Sequence, residues 1–192
     1  MDYESKSNAR RALIKQRQVW SMDHEECLGW AQTLCELLST LIREQSCHCV
    51  GLYYPLPGEP WLIEHTREFL SSQETTLALP VVDPEIEGKM HFSLWGEETT
   101  LVKRRFGVME PLSSEEVFPD CLVIPCLGYS EAGHRLGYGK GYYDRYLKSH
   151  QDCLTIGVAY EQSCCPVWLF EPHDERCDWM VTQSRYFRAG KY

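Results

Sequence analysis

Residues 135–144 (RLGYGKGYYD) combine the residue types that bind phosphate groups in proteins. Three glycines alternate with other residues, Lys140 lies among them, and Asp144 falls in the first turn of a helix expected over residues 142–147. Glycine permits a close approach of the backbone to a ligand, and the free N–H groups at a helix N-terminus attract phosphate. Lys140 would add a positive charge, and Asp144 would suit Mg²⁺ held against phosphate oxygens.

This run matches neither of two common nucleotide-binding motifs. No Ser or Thr follows Lys140, as the P-loop requires, and Tyr142 stands where a dinucleotide-binding loop has its third glycine. On the residues alone, two interpretations stay open: a phosphate-binding loop, and a Gly-rich turn that only caps a helix.

A second group of charged residues lies near the N-terminus. Residues 5–19 predict a strongly basic helix in which Lys6 and Arg10, four positions apart, share one face. That face is either an anion clamp or a solvated basic surface.

The elements that must position these residues alternate between helices and strands. Apolar spacing and β-branched runs predict helices over 5–19, 23–43, 61–71 and 142–147, and strands over 49–54, 76–82, 89–95, 121–125, 153–160 and 179–182. This alternation indicates an α/β fold with a largely parallel central sheet covered on both faces. We expect one three-layer α/β/α domain over residues 1–192, with the basic N-terminal helix packed over the phosphate site.

The loop after strand 49–54 is a further candidate ligand site. It contains two prolines and a glycine, and Glu59 stands just before the next expected helix. Ligands of open α/β sheets bind beyond the carboxyl ends of strands. Glu59 is therefore either a ligand contact or a first-turn carboxylate favoured by the helix dipole. Met90 and Trp95 are either core residues or partners for a flat ring.

Residues 135–144 closely resemble the signature of the 5-formyltetrahydrofolate cyclo-ligase family, which reads Arg-Leu-Gly-x-Gly-x-Gly-Tyr-Tyr-Asp. Residues 106–111 (FGVMEP) resemble its Phe-Gly-Ile-x-Glu-Pro run, and Met90 with Phe92 resembles its Met-x-Phe. The resemblance extends from Lys6 to Thr182.

The resemblance implies an ATP- and Mg²⁺-dependent ligase. Its reaction would cyclise 5-formyltetrahydrofolate to 5,10-methenyltetrahydrofolate through phosphorylation of the formyl oxygen, with release of ADP and phosphate. The implied ATP-binding residues are Lys6, Arg10, Arg135, Leu136, Gly137, Tyr138, Gly139, Lys140, Gly141, Tyr142 and Tyr143. The implied folate-binding residues are Tyr54, Glu59, Met90, Phe106, Tyr142 and Tyr143, and the implied Mg²⁺ ligands are Asp144 and Asp174. Glu110 is expected to be a structural carboxylate.

The sequence departs from the family pattern in two loops. Pro60 and Trp61 follow Glu59, where the family has an aliphatic residue and then an acidic residue with Thr. Before the Gly-rich run, Cys126 stands in place of a glycine and Ser130 in place of an acidic residue. Both departures affect loops that border the expected site.

The composition limits the classes of partner that we expect for this protein. A formal net charge of −9 argues against broad binding to nucleic acid or a membrane surface, since both need basic surface. The N-terminus lacks the apolar run of a secretory signal, so we expect a cytoplasmic protein whose ten cysteines stay reduced. The cysteine spacings do not match structural zinc sites. We expect a monomer that binds small molecules.

Two other functions remain open from the sequence. One is a non-catalytic relative that binds a nucleotide or a folate. The other is a sugar-phosphate isomerase-like α/β protein, which would bind phosphate without using ATP.

Overall fold

The computed structural model describes residues 4–20, 24–63, 65–67, 75–104, 107–112, 115–171 and 174–189. Its helices are α1 (Lys6–Trp20), α2 (His24–Glu44) and α3 (Tyr142–Ser149), and residues 63 and 65–67 are also helical. Its strands are β1 (Cys49–Gly51), β2 (Thr76–Val82), β3 (Met90–Leu94), β4 (Leu101–Lys103), β5 (Met109–Pro111), β6 (Glu116–Val117), β7 (Cys121–Pro125), β8 (Gly128–Tyr129), β9 (Arg135–Leu136), β10 (Leu154–Val158), β11 (Trp179–Val181) and β12 (Tyr186–Arg188).

The centre of the molecule is an eight-stranded sheet in the order β12-β11-β10-β7-β1-β2-β3-β6. The five inner strands from β11 to β2 run parallel, and β12, β3 and β6 pair antiparallel at the two ends. Two separate hairpins, β4–β5 and β8–β9, lie outside this sheet. The predicted α/β fold with a largely parallel sheet is confirmed.

Alternate residues of the inner strands enter two different cores. On β7, Cys121 and Val123 pack in the core that contains the α2 residues Leu34, Leu38 and Leu41. Their neighbours Leu122 and Ile124 pack on the opposite face, in the core that contains Tyr146 of α3. Because side chains alternate along a strand, one apolar run supplies both cores, and the sheet lies between helical layers as predicted.

Helix α1 packs through a third cluster. Ala9 and Leu13 are fully buried against Leu127, Leu136 and Phe170, beside the β8–β9 hairpin. The packing is close, because a methyl group at Gly128 would lie 2.8 Å from Leu13 Cδ1. This contact fixes the basic helix against the segment that leads into the Gly-rich run.

Most predicted element boundaries agree to within two residues, with one clear difference. The strand predicted over 49–54 ends at Gly51, because the chain then leaves the sheet toward the prolines of the following loop. The helix predicted over 61–71 is helical at 63 and 65–67, and most of the remainder lies outside the described residues. Among the described residues, no helix is both long and apolar enough to cross a membrane.

Candidate active site

A cavity of about 700 Å³ opens at the carboxyl ends of β1 and β7. From β1 the chain continues to β2, which pairs with β1 on one side, whereas β7 pairs with β1 on the other side. The direction in which strands are added therefore reverses between β1 and β7. Open α/β sheets bind ligands at such a switch point. Tyr53 and Tyr54 after β1, and Ile124 and Pro125 at the end of β7, line the cavity here.

The Gly-rich run forms one side of the cavity. Gly139 has φ +84° and Gly141 has φ +66°, a left-handed conformation that side chains rarely adopt. Gly141 is the N-cap of α3, so the first N–H groups of that helix follow directly. The backbone thus turns tightly into a helix N-terminus, as a phosphate-binding loop requires.

Helix α1 places two basic side chains, Lys6 and Arg10, in the cavity lining and a third, Arg17, against the lining residue Glu59. Lys6, Arg10 and Arg17 are spaced by four and seven residues, which places them on one helical face. Arg10 Nε donates to the Gly137 carbonyl at 2.9 Å, and its guanidinium lies against Gly139. Although partial burial lowers the pKa of Lys6, its hydrogen bonds to Asp174 and Glu171 raise that pKa above its usual value, so Lys6 stays charged.

Glu59 is held from three directions. Its Oε2 accepts from the Leu56 N–H at 2.9 Å, and its Oε1 lies 3.6 Å from Arg17 Nη1. Tyr138 also hydrogen-bonds to this carboxylate. Burial raises the pKa of Glu59, while the charge of Arg17 opposes that rise. Both side chains of the ion pair are almost fully buried, at 3% exposure for Arg17 and 2% for Glu59.

An apolar wall formed by Pro80, Val82, Met90 and Val108 closes another side. Val82 pairs with Met90 across β2 and β3, and Pro80 lies two residues before Val82 on the same face. One carboxylate, Glu110 of β5, lies in this lining. The cavity therefore joins a basic, Gly-rich side suited to phosphates with an apolar side suited to a flat ring.

The chain is similar to proteins of one family over nearly its whole length. Residues 2–183 match the model of the 5-formyltetrahydrofolate cyclo-ligase family. The chain belongs to this family.

Individual relatives agree with this assignment. A 5-formyltetrahydrofolate cyclo-ligase of Mycolicibacterium smegmatis is 32% identical over 96% of this chain and 97% of its own length. The one from Mycoplasma pneumoniae is 26% identical over 93% of this chain and 99% of its own length. The solved structure of Aquifex aeolicus 5,10-methenyltetrahydrofolate synthetase superposes with a TM-score of 0.79 at 28% identity, covering 97% of this chain and 94% of that one.

In this cyclo-ligase family member, one cavity is lined by every predicted site residue that the structure describes. These are Lys6, Arg10, Tyr54, Glu59, Met90, Arg135, Leu136, Gly137, Tyr138, Gly139, Lys140, Gly141, Tyr142, Tyr143, Asp144 and Asp174. The remaining predicted residue, Phe106, lies outside the described residues.

Each of the two predicted Mg²⁺ ligands is held by a basic residue of the same cavity. Asp144 and Asp174 both line the cavity, but Asp144 is ion-paired with Arg135 and Asp174 with Lys6. Among the described residues, no group of three or more His, Cys, Asp and Glu side chains is arranged to hold a metal alone. Two carboxylates suffice for Mg²⁺ when phosphate oxygens and water complete its octahedral shell.

The two loops that depart from the family pattern are both well anchored. Tyr53 Oη donates to the Pro60 carbonyl at 3.0 Å, and Trp61 packs edge-on against Tyr54 with ring centroids 5.7 Å apart. In the other loop, Ser130 Oγ is buried 3.0 Å from His134 Nδ1. Pro60, Trp61 and Ser130 are thus each held by local contacts.

Sequence reasoning missed several residues of the cavity. Arg17 does not line the cavity but holds Glu59, which does, and it carried a usable signal because it continues the helical face of Lys6 and Arg10. Pro80, Val82 and Val108 carried none, since apolar residues at strand spacing read equally well as core. Glu110 was expected to be structural, yet it lies in the cavity lining.

Proposed function

We propose that this protein is a 5-formyltetrahydrofolate cyclo-ligase that uses MgATP to form 5,10-methenyltetrahydrofolate. The observation that supports this most directly is that one cavity combines a Gly-rich loop suited to phosphates with an apolar, aromatic-lined side. A reaction between a nucleotide and a reduced folate needs both ligands in one enclosed space.

The chemical difficulty lies in the formyl group. Its oxygen belongs to an amide-like N5–CHO group and is a poor leaving group. In the proposed reaction this oxygen attacks the γ-phosphorus of ATP, and the bond from that phosphorus to the β,γ-bridging oxygen breaks to release ADP. N10 then attacks the formyl carbon and loses its proton, and the carbon–oxygen bond breaks to release inorganic phosphate.

The protein would contribute position and charge rather than a nucleophile. Arg135, Lys140 and the N–H groups of the Gly-rich run would bind phosphate oxygens, with Lys6 and Arg10 closing over them from α1. Such fixed positive groups stabilise the charge that builds up during phosphoryl transfer. Mg²⁺, held by Asp144 and Asp174, would neutralise further phosphate charge.

The folate would occupy the apolar side of the cavity. Tyr54, Met90, Tyr142 and Tyr143 offer ring faces and a flexible thioether to the pterin. Burial raises the pKa of Tyr143 well above its usual value, so its hydroxyl stays protonated and can donate a hydrogen bond.

The deciding experiment is a turnover assay of the purified protein with 5-formyltetrahydrofolate. Formation of the methenyl product is followed by its near-UV absorbance, with MgATP and without it. ATP-dependent product supports the proposal. Nucleotide binding without product would instead indicate a non-catalytic relative, and product without ATP would refute the proposed chemistry.

The metal role is tested separately. In Asp144→Asn, we expect the Mg²⁺ concentration for half-maximal activity to rise about 10-fold, the typical effect of losing one charged ligand contact. Glu175→Gln, which alters a neighbouring carboxylate of the same cavity, is the matched control. An unchanged Mg²⁺ titration in Asp144→Asn would exclude Asp144 as a ligand.

A further inference from the structure

One arginine behind the cavity lining holds the backbone of the Gly-rich run. Arg145, the fourth residue of α3, donates from Nη2 of its guanidinium to the Lys140 carbonyl. Its backbone N–H donates to the Gly141 carbonyl at 3.1 Å. Lys140 and Gly141 line the cavity, whereas Arg145 does not. Two successive carbonyls of the run are therefore turned toward a residue that lies outside the lining.

The guanidinium of Arg145 is itself fixed by the turn between β2 and β3. Its Nε donates to the Gly88 carbonyl at 2.8 Å. The packing is close, because a methyl group at Gly88 would overlap the guanidinium and one at Gly141 would lie 3.0 Å from Nη1. The planar guanidinium thus fits between two glycines and bonds to carbonyls on two separate segments, which a single ammonium nitrogen cannot do in the same way.

The direction of the Lys140 carbonyl determines the direction of the next N–H group. The described part of the chain contains no cis peptide bond, and in a planar trans peptide the C=O and the N–H point in opposite directions. Since the Lys140 carbonyl points at Arg145, the Gly141 N–H points away from Arg145, toward the cavity side of the run. No protein group among the described residues accepts a hydrogen bond from this N–H.

We propose that Arg145 is a positioning residue that holds the Lys140–Gly141 peptide with its N–H facing the phosphate site. Glycine adopts positive and negative φ with similar ease, so the Gly-rich run alone does not select one orientation of this peptide. Arg145 selects it before the ligand arrives, and a donor that is already oriented costs no reorganisation when phosphate binds. This inference rests on the proposed function, since it concerns how the same run binds the nucleotide.

Arg145 differs in this respect from Arg10, which also bonds to a carbonyl of the run. Arg10 Nε donates to the Gly137 carbonyl, but Arg10 lines the cavity and is placed to contact phosphate directly. Arg145 acts on the nucleotide only through the backbone that it holds. Its removal should therefore change the surroundings of the Gly141 N–H as well as the affinity for nucleotide.

The test is equilibrium binding of ADP, with Mg²⁺ present, to Arg145→Met, which keeps an extended side chain but removes its donors. We expect the Kd for ADP to rise at least about 10-fold, because a hydrogen bond to a charged phosphate is lost. In heteronuclear NMR of protein labelled at its glycine nitrogens, the Gly141 amide proton should move downfield when ADP binds to the wild type. It should not move in the variant. The Kd for 5-formyltetrahydrofolate without nucleotide should stay within about 2-fold of wild type.

Two further variants complete the experiment. Arg145→Lys keeps the positive charge but offers one nitrogen in place of two, so ADP should still bind at least about 5-fold more weakly than to the wild type. Arg43→Met removes an exposed arginine of α2 and is the control, which should change none of these measurements.

Wild-type affinity for ADP in Arg145→Met would overturn the inference, and so would an unchanged shift of the Gly141 amide proton in that variant. Wild-type affinity in Arg145→Lys would also overturn it, because the charge alone would then suffice. Arg145→Lys carries the test by itself if Arg145→Met does not fold. Failure of ADP to bind to the wild-type protein would refute the proposed function as well, whereas the other results refute this inference alone.

Discussion

The two ends of helix α1 make ion pairs at the same cavity, but in very different surroundings. At its first turn, Lys6 bonds to Glu171 at 2.9 Å with side chains 22% and 60% exposed. Toward its last turn, Arg17 pairs with Glu59 at 3.6 Å with both side chains almost fully buried. Water screens the first pair but not the second, so breaking the first pair costs little stability and breaking the second costs much more.

The difference separates a binding role from a positioning role. Lys6 can exchange its carboxylates for a phosphate at little cost, because exposed pairs contribute about 0–1 kcal/mol. If Arg17 moved away from Glu59, the Glu59 carboxylate would be left as a buried charge without its cation. Arg17 also donates a hydrogen bond to the Cys126 carbonyl. The N-terminal end of α1, with Lys6, is therefore suited to bind ligands, and its C-terminal end, with Arg17, holds the Glu59 loop in place.

The largest effect that tests this difference between the two ion pairs is expected from the substitution Arg17→Met. It leaves Glu59 buried without its cation, and we expect the free energy of unfolding to fall by about 3 kcal/mol. Chemical denaturation measures the change. Arg11→Met, an exposed arginine of the same helix, is the matched control and should cost less than about 0.5 kcal/mol.

A double variant shows whether the loss comes from the ion pair. Adding Glu59→Gln to Arg17→Met removes the stranded charge while keeping an acceptor for the Leu56 N–H, so much of the lost stability should return. Losses that simply add would show that Arg17 acts through packing and not through Glu59.

The binding side of the contrast is tested by Lys140→Ala. Lys140 lies exposed in the Gly-rich run, so its loss should leave the melting temperature unchanged. We expect the KM for ATP to rise at least about 10-fold, because hydrogen bonds to charged groups contribute about 1.5–3 kcal/mol. Lys103→Ala, on the β4–β5 hairpin, should behave as wild type. Unaltered ATP use by Lys140→Ala would remove this lysine from the phosphate site.

The sequence predicted local features of this site well and long-range ones poorly. The glycines, Lys140 and the Lys6–Arg10 spacing act within one turn of chain, so their residue types indicate a conformation directly. The pairing of Arg17 with Glu59 joins residues 42 positions apart, and only the packing of α1 brings them together. The residue types and spacing around Arg17 give no indication that Glu59 is its partner.

The strands show the same limit. Long β-branched runs such as Thr76–Val82 were predicted correctly, because their length and composition are distinctive. The β4–β5 and β8–β9 hairpins were missed, since strands of two or three residues carry almost no periodic signal. That omission hid Glu110, which reaches the cavity only because β5 lies beside β2.

A third polar arrangement lies beneath the Lys6 end of α1, at the substituted position Ser130. Arg176 Nε donates to His134 Nε2 at 3.1 Å, so the ring proton lies on Nδ1 and is donated to Ser130 Oγ. The ring also stacks on Phe170 with centroids 4.9 Å apart. The network is complete only while the imidazole is neutral.

The smallest expected effect is therefore a pH dependence of stability. Burial, and then the charge of Arg176, lower the pKa of His134 below its usual value, although Asp174 opposes them. Below about pH 6.5 the unfolded chain binds a proton at this histidine more readily than the folded protein does. The free energy of unfolding therefore decreases as the pH is lowered, until the pH reaches the lowered pKa of the folded protein. Thermal unfolding between pH 7 and pH 5 should show a shallower decline in His134→Gln than in wild type. His48→Gln, an exposed histidine beside β1, should keep the wild-type slope. Equal slopes in all three proteins would mean that the Ser130 network contributes nothing that depends on a neutral ring.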